Sequence, residues 1–184
     1  AIRAMVAAGL VAALGHTAAD ADTVRAALDA GATNVTHLFN GMEPLHHREV
    51  SLPGVALTDR RLWVELIVDG QHVCDDAVDL VVRAAADRLL LVSDAMAATG
   101  LGDGDYVLAG SRVRVGGGVA RLVEGDSLAG STSLIRDSVA RLLGLAFVPL
   151  TEESFDMILE RETFFSRSVQ SLLDILQGAA FQES

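Results

Sequence analysis

Four times in its first hundred residues the chain runs through the same phrase: a short apolar burst, a polar residue where it ends, then a helical or looped stretch. Residues 10–14 (LVAAL) lead into Gly15 and His16, and residues 34–39 (NVTHLF) carry His37. Residues 62–68 (LWVELIV) end in DGQH, and residues 89–93 (LLLVS) close on Asp94. Bursts this apolar, without alternation, belong to strands buried on both faces, and helices between them make the sheet parallel. Chemistry in such sheets gathers where the strands end, in open α/β folds and in (β/α)8 barrels alike. No Gly-rich phosphate loop follows the first strand, which weighs against a doubly wound sheet.

The punctuation between bursts is legible. TAADADTVRAALDAG reads as a helix with Thr17 at its N-cap, Asp20 three residues on and Gly31 as its stop. A second helix is expected over 75–86. Between residues 105 and 125 the pattern changes to YVLAGSRVRV, a GGG turn and VARLV, which reads as an antiparallel hairpin inserted after the fourth strand. A last helix is expected from about Thr132, carrying Leu134, Val139, Leu142 and Leu143. From about Pro149 composition shifts: four of the six phenylalanines and three of the four glutamines fall there. We therefore divide the chain at residue 148, with a divergent helical tail over 149–184.

Charge narrows the possible partners. With 14 basic and 25 acidic residues the net charge is −11, so a nucleic-acid partner is not expected. Every basic residue is arginine, which excludes a Schiff-base or carbamylated lysine from this stretch. The single cysteine, Cys74, permits no internal disulfide and suits a reducing cytoplasm. AIRAMVAAGLVAALG is too short to span a bilayer and reads as the end of a helix followed by a buried strand. The chain opens in mid-pattern without an initiator methionine, as a piece of a longer protein would.

Imidazoles at the ends of neighbouring strands, about 4.8 Å apart, can share one metal ion, for which zinc is well suited. His16 and His37 fit that reading, or one in which they only hydrogen-bond their loops. Asp94 can move a proton between water and a leaving group, or merely order its loop. Asn40, Gly41 and Arg48, in the loop FNGMEPLHHRE, suit a phosphate, since an arginine fork matches phosphate oxygens. His46 and His47 read as ordinary loop residues. His72 can polarise a carbonyl or meet a sugar hydroxyl.

The ordered series GHTAAD, ATNVTHLFNGMEPLHHRE, ELIVDGQHV, LLLVSDAMAATG and GDSLAGSTS resembles the N-acetylglucosamine-6-phosphate deacetylases of the amidohydrolase superfamily, over roughly residues 1–147. The resemblance implies the second half of a (β/α)8 metal-dependent hydrolase barrel. It implies His16 and His37 as ligands of a divalent metal, zinc foremost, and Asp94 as the catalytic acid/base. It implies Asn40, Gly41 and Arg48 on the substrate phosphate, His72 on the sugar, and Leu128, Ala129 and Gly130 along the substrate. The activity implied is hydrolysis of the acetamide of N-acetylglucosamine 6-phosphate to acetate and glucosamine 6-phosphate, in a cytoplasmic enzyme that is a homodimer when complete. Its partner would be that phosphorylated amino sugar, with no nucleic acid and no membrane. The family's first four strands and its metal-binding glutamate are not in this sequence, and its closing elements are not recognisable after about Pro149. The isolated chain is therefore expected to be inactive. Two other readings stand beside this one: an amidohydrolase for another N-acyl or cyclic amide, and an inactive binding or assembly module.

Overall fold

A computed structural model describes residues 1–144. The chain divides into two units, Ala1–Phe147 and Val148–Ser184, and the expected tail lies outside the described residues.

A short helix, α1 (Ile2–Ala7), precedes β1 (Ala13–Leu14), α2 (Ala21–Asp29) and β2 (Asn34–Val35). Then come α3 (Leu52–Thr58), β3 (Trp63–Leu66), α4 (Asp75–Ala85) with a 3-10 turn over Ala86–Arg88, and β4 (Leu89–Leu91). The four strands form one parallel sheet in the order β1-β2-β3-β4, each paired with the strand before it. Strand order never reverses, so this sheet has no crevice of the doubly wound kind; the sequential run is that of a barrel wall. The regular strands are shorter than the apolar bursts, but ladder bonds continue past them. Thr36 N–H donates to Leu14 C=O (2.9 Å), Leu38 to Glu65 (2.8 Å) and Val92 to Leu66 (3.1 Å).

Helices cover one face. Val24 and Leu28 of α2, Val55 and Ala56 of α3, and Val78, Val81 and Ala85 of α4 pack with Val35, Val64 and Leu66 into the main core. The α4 residues recur at helical spacing, which is why that helix is readable in the sequence. On the opposite face Trp63 and Leu90 stay 46% and 37% exposed. Leu10 and Val11 are exposed too. Of the helix and buried strand expected of the opening, α1 and β1 form, but the burial is confined to Ala12, 2% exposed, and in part to Leu14, which packs on the main core.

Three expectations are corrected. The cap of α2 is Asp20, whose carboxylate accepts from Thr23 N–H at 2.8 Å, while Thr17 Oγ1 accepts from Ala19 N–H in its own turn. The expected hairpin is a three-stranded antiparallel sheet: β5 (Gly104–Leu108), β6 (Ser111–Gly116) and β7 (Val119–Leu122). Val113, Val115 and Ala120 bury its inner face on Met96, Ala98 and Ala129. The closing helix, α5 (Ile135–Leu142), begins three residues after Thr132, with Asp137 accepting from Leu134 N–H at 2.9 Å.

A buried arginine holds the junction between layers. Arg88, 4% exposed, donates to Ala56 C=O (2.6 Å), Leu57 C=O (2.8 Å) and Leu62 C=O (2.7 Å). The first two carbonyls belong to the last turn of α3, where no intrahelical donor reaches them, and a cation is favoured at that end of the helix dipole.

Candidate functional site

Each parallel strand ends within three residues of a titratable side chain: His16 after β1, His37 after β2, Asp69 after β3 and Asp94 after β4. Three of these sit in the left-handed backbone region, His16 at φ 44°, His37 at 27° and Asp94 at 49°. Side chains other than glycine enter that region at a cost of order 1–3 kcal/mol each. The strain recurs at three of the four strand ends of one rim, those of β1, β2 and β4.

The two histidines meet. His16 Nε2 and His37 Nε2 are 3.1 Å apart, and the rings stand edge-on at 82°. Two nitrogens each about 2.0–2.1 Å from a tetrahedral zinc would lie about 3.3 Å apart. That is close to the observed spacing, so the pair fits a shared divalent ion. His37 Nδ1 is buried without a partner among the described residues, and Nε2, which faces His16, is the nitrogen that would hold the ion. No group of three or more His, Cys, Asp or Glu side chains converges among the described residues, so a third protein ligand is not in this set. Gly41, at φ +64°, passes so close that a Cβ there would lie 2.6 Å from His16 Nδ1. Asn40 secures the same loop, its amide donating to His37 C=O and Leu38 C=O at 3.2 Å each.

Arg48 lies elsewhere. It lines a cleft of about 750 Å³ together with His46, Ser51 and residues 18–22, and that cleft is not lined by His16, His37, Asn40 or Gly41. Its guanidinium contacts His47 Nε2 at 2.7 Å. The described residues therefore split the expected phosphate set, with Asn40 and Gly41 beside the histidines and Arg48 on the larger cleft.

Asp94 is exposed and is joined to the expected substrate-lining stretch. Ser131 N–H donates to Asp94 C=O at 2.8 Å, and a Cβ on Gly130 (φ +77°) would lie 3.0 Å from that same oxygen. Leu128 bridges back to Arg121 in β7, and Ala129 is buried under the antiparallel sheet. His72 is held by Asp69, its Nδ1 lying 2.7 Å from Asp69 Oδ2. Sequence reasoning passed over Asp69 and Ser131. The spacing DGQH carried the signal, since an aspartate three residues before a histidine can bond both the turn and the ring.

Known proteins decide the family. An N-acetylgalactosamine-6-phosphate deacetylase of Escherichia coli O157:H7 is 46% identical over 139 residues, which are 76% of this chain and 37% of that protein. A protein of Escherichia coli K12, provisionally named for the same activity, is 45% identical over 116 residues, 63% of this chain and 69% of its own length. The chain belongs to the N-acetylglucosamine-6-phosphate deacetylase family. Among solved deacetylases, a Mycobacterium smegmatis variant in complex with N-acetyl-D-glucosamine-6-phosphate superposes with a TM-score of 0.69 at 42% identity, over 78% of this chain and 45% of that one. The parallel wall and the small antiparallel sheet are those of the deacetylase neighbours. The chain spans little more than a third of the O157:H7 deacetylase's length. A family model described as a PBP superfamily domain also matches, over residues 83–177. That match starts inside α4 and takes in neither His16 nor His37.

Among the described residues no helix is long and apolar enough to cross a membrane.

Proposed function

We propose that this chain supplies the metal-binding and proton-transfer rim of a deacetylase acting on N-acetylglucosamine 6-phosphate. The observation that carries the reading is the 3.1 Å convergence of His16 Nε2 and His37 Nε2 at the ends of adjacent strands. A divalent ion held there, zinc foremost, supplies Lewis acidity toward the acetamide carbonyl and water. Asp94 takes a proton from the attacking water and returns it to the departing amine, giving acetate and glucosamine 6-phosphate. Gly41 and Asn40 keep the loop close against His16 and His37. Arg48 binds the phosphate from the same loop that carries Asn40 and Gly41. His72 meets the sugar, and residues 128–130 border it. The same reading makes the complete enzyme a cytoplasmic homodimer.

Metal content is the test. The purified chain, dialysed against zinc, should retain an ion that the His16→Ala/His37→Ala double variant loses. Equal zinc in both proteins would remove the site and leave an inactive binding module as the better account.

A further inference from the structure

The proposed chemistry leaves one buried carboxylate without a task. The side chain of Asp69 is 3% exposed and that of its partner His72 is 6% exposed. Asp69 Oδ1 accepts from the N–H groups of Gln71 (2.8 Å) and His72 (2.9 Å). Asp69 Oδ2 accepts from His72 Nδ1 (2.7 Å) and Ser131 Oγ (2.9 Å). Burial pushes this carboxyl's pKa up, but the hydrogen bonds from His72, Gln71 and Ser131 outweigh it and hold the pKa well below the usual range. An ionised carboxylate only accepts, so the shared proton sits on His72 Nδ1, and in the neutral ring Nε2 presents its lone pair. The hydrogen bonds of His72 among the described residues run through its backbone N–H and Nδ1 and leave Nε2 for a ligand.

Ser131 extends the arrangement. It is 2% exposed, its N–H donates to Asp94 C=O (2.8 Å), and its C=O accepts from Met96 N–H (2.9 Å). One serine thus joins the end of β3 to the segment that carries Asp94.

We propose that Asp69 is a positioning residue for substrate recognition: it fixes His72 as the Nδ1–H tautomer, so that Nε2 accepts a hydrogen bond from a hydroxyl of the bound amino sugar. Through Ser131 the same carboxylate registers that imidazole against Asp94. This rests on the deacetylase reading above and separates two roles open to His72, since a neutral ring with a bare Nε2 cannot donate to a carbonyl.

Asp69→Asn gives a signature that a merely structural role would not produce. The carboxamide oxygen must face the two backbone N–H groups at 71 and 72, so its NH2 faces His72 Nδ1. The ring should then invert to the Nε2–H tautomer, read by long-range nitrogen–proton NMR of the 184-residue chain, with His72 assigned by its loss in His72→Gln. Ser131→Ala should leave the Nδ1–H tautomer in place. Asp69→Asn without inversion overturns the proposal; if that variant does not fold, Nε2–H on His72 in the unaltered chain overturns it equally. N-acetylglucosamine 6-phosphate is the second probe, and it should move the His72 Nε2 resonance and bind about tenfold more weakly to Asp69→Asn. Substrate that shifts His16 and His37 but not His72 counts against the proposal. Substrate that shifts no histidine counts against the deacetylase reading, while the tautomer result still judges Asp69.

Discussion

Replacing Arg88 with methionine should destabilise the chain by about 3 kcal/mol, and the geometry gives the figure. Three carbonyls, those of Ala56, Leu57 and Leu62, lose a charged donor at 2.6–2.8 Å. Each such bond contributes about 1.5 kcal/mol at the low end, for a loss of about 4.5 kcal/mol. Against this, Arg88 Nε is buried without a partner, and removing it returns about 1.5 kcal/mol. Methionine fills similar space, so the cavity contribution is small. With a urea dependence of about 2 kcal/mol per molar, the unfolding midpoint should fall by roughly 1.5 M. Trp63, the chain's one tryptophan, follows directly on Leu62 and reports the transition by fluorescence. Arg88→Lys keeps the charge without the planar fork and should fall between the two. A methionine variant with an unchanged midpoint would refute the view that Arg88 caps α3 and holds it to the sheet.

Gly41→Ala should lower zinc uptake by about tenfold or more, as displaced supports of metal ligands do, because its Cβ would press on His16; equal uptake would mean that the loop yields freely. In an enzyme completed with a relative's preceding half, Arg48→Ala should raise KM for the 6-phosphorylated sugar far more than for the plain sugar, a charged hydrogen bond being worth about 1.5–3 kcal/mol. Asp94→Asn in that enzyme should cut kcat by ~10²–10⁴, while the 184-residue chain alone should release no acetate. Asp59, bonded by the Arg61 guanidinium and N–H, has its pKa lowered to about 2 from a usual value near ~3.9. A depressed folded pKa stabilises above the unfolded value and is lost on acidification, so stability should decline between about pH 4 and pH 2, and less steeply in Asp59→Asn.

The sheet and its rim were legible in the sequence because buried parallel strands are uninterrupted apolar bursts and their ends carry the polar residues. What was missed has physical causes. In α3 every residue from Leu52 to Leu57 is buried, so no polar face marks a helical period, and the run reads as loop. Within the antiparallel sheet, Ala109 and Gly110 make the two-residue turn with φ 49° and 88°. Alanine is rare at the first of those positions, so YVLAGSRVRV looked like one strand rather than two. Thr17 and Asp20 are both good helix caps, and only the fold chooses between them.

The order β1-β2-β3-β4 bears on how the chain folds as it is made. Registered partners are close in sequence: Ala13 with Asn34 (21 apart), Asn34 with Trp63 (29 apart) and Val64 with Leu89 (25 apart). Each strand finds its neighbour already in place, so the wall can extend in the order of synthesis, without waiting for distant segments. The strand most recently added is always the open edge, and the next to emerge is the one that closes it.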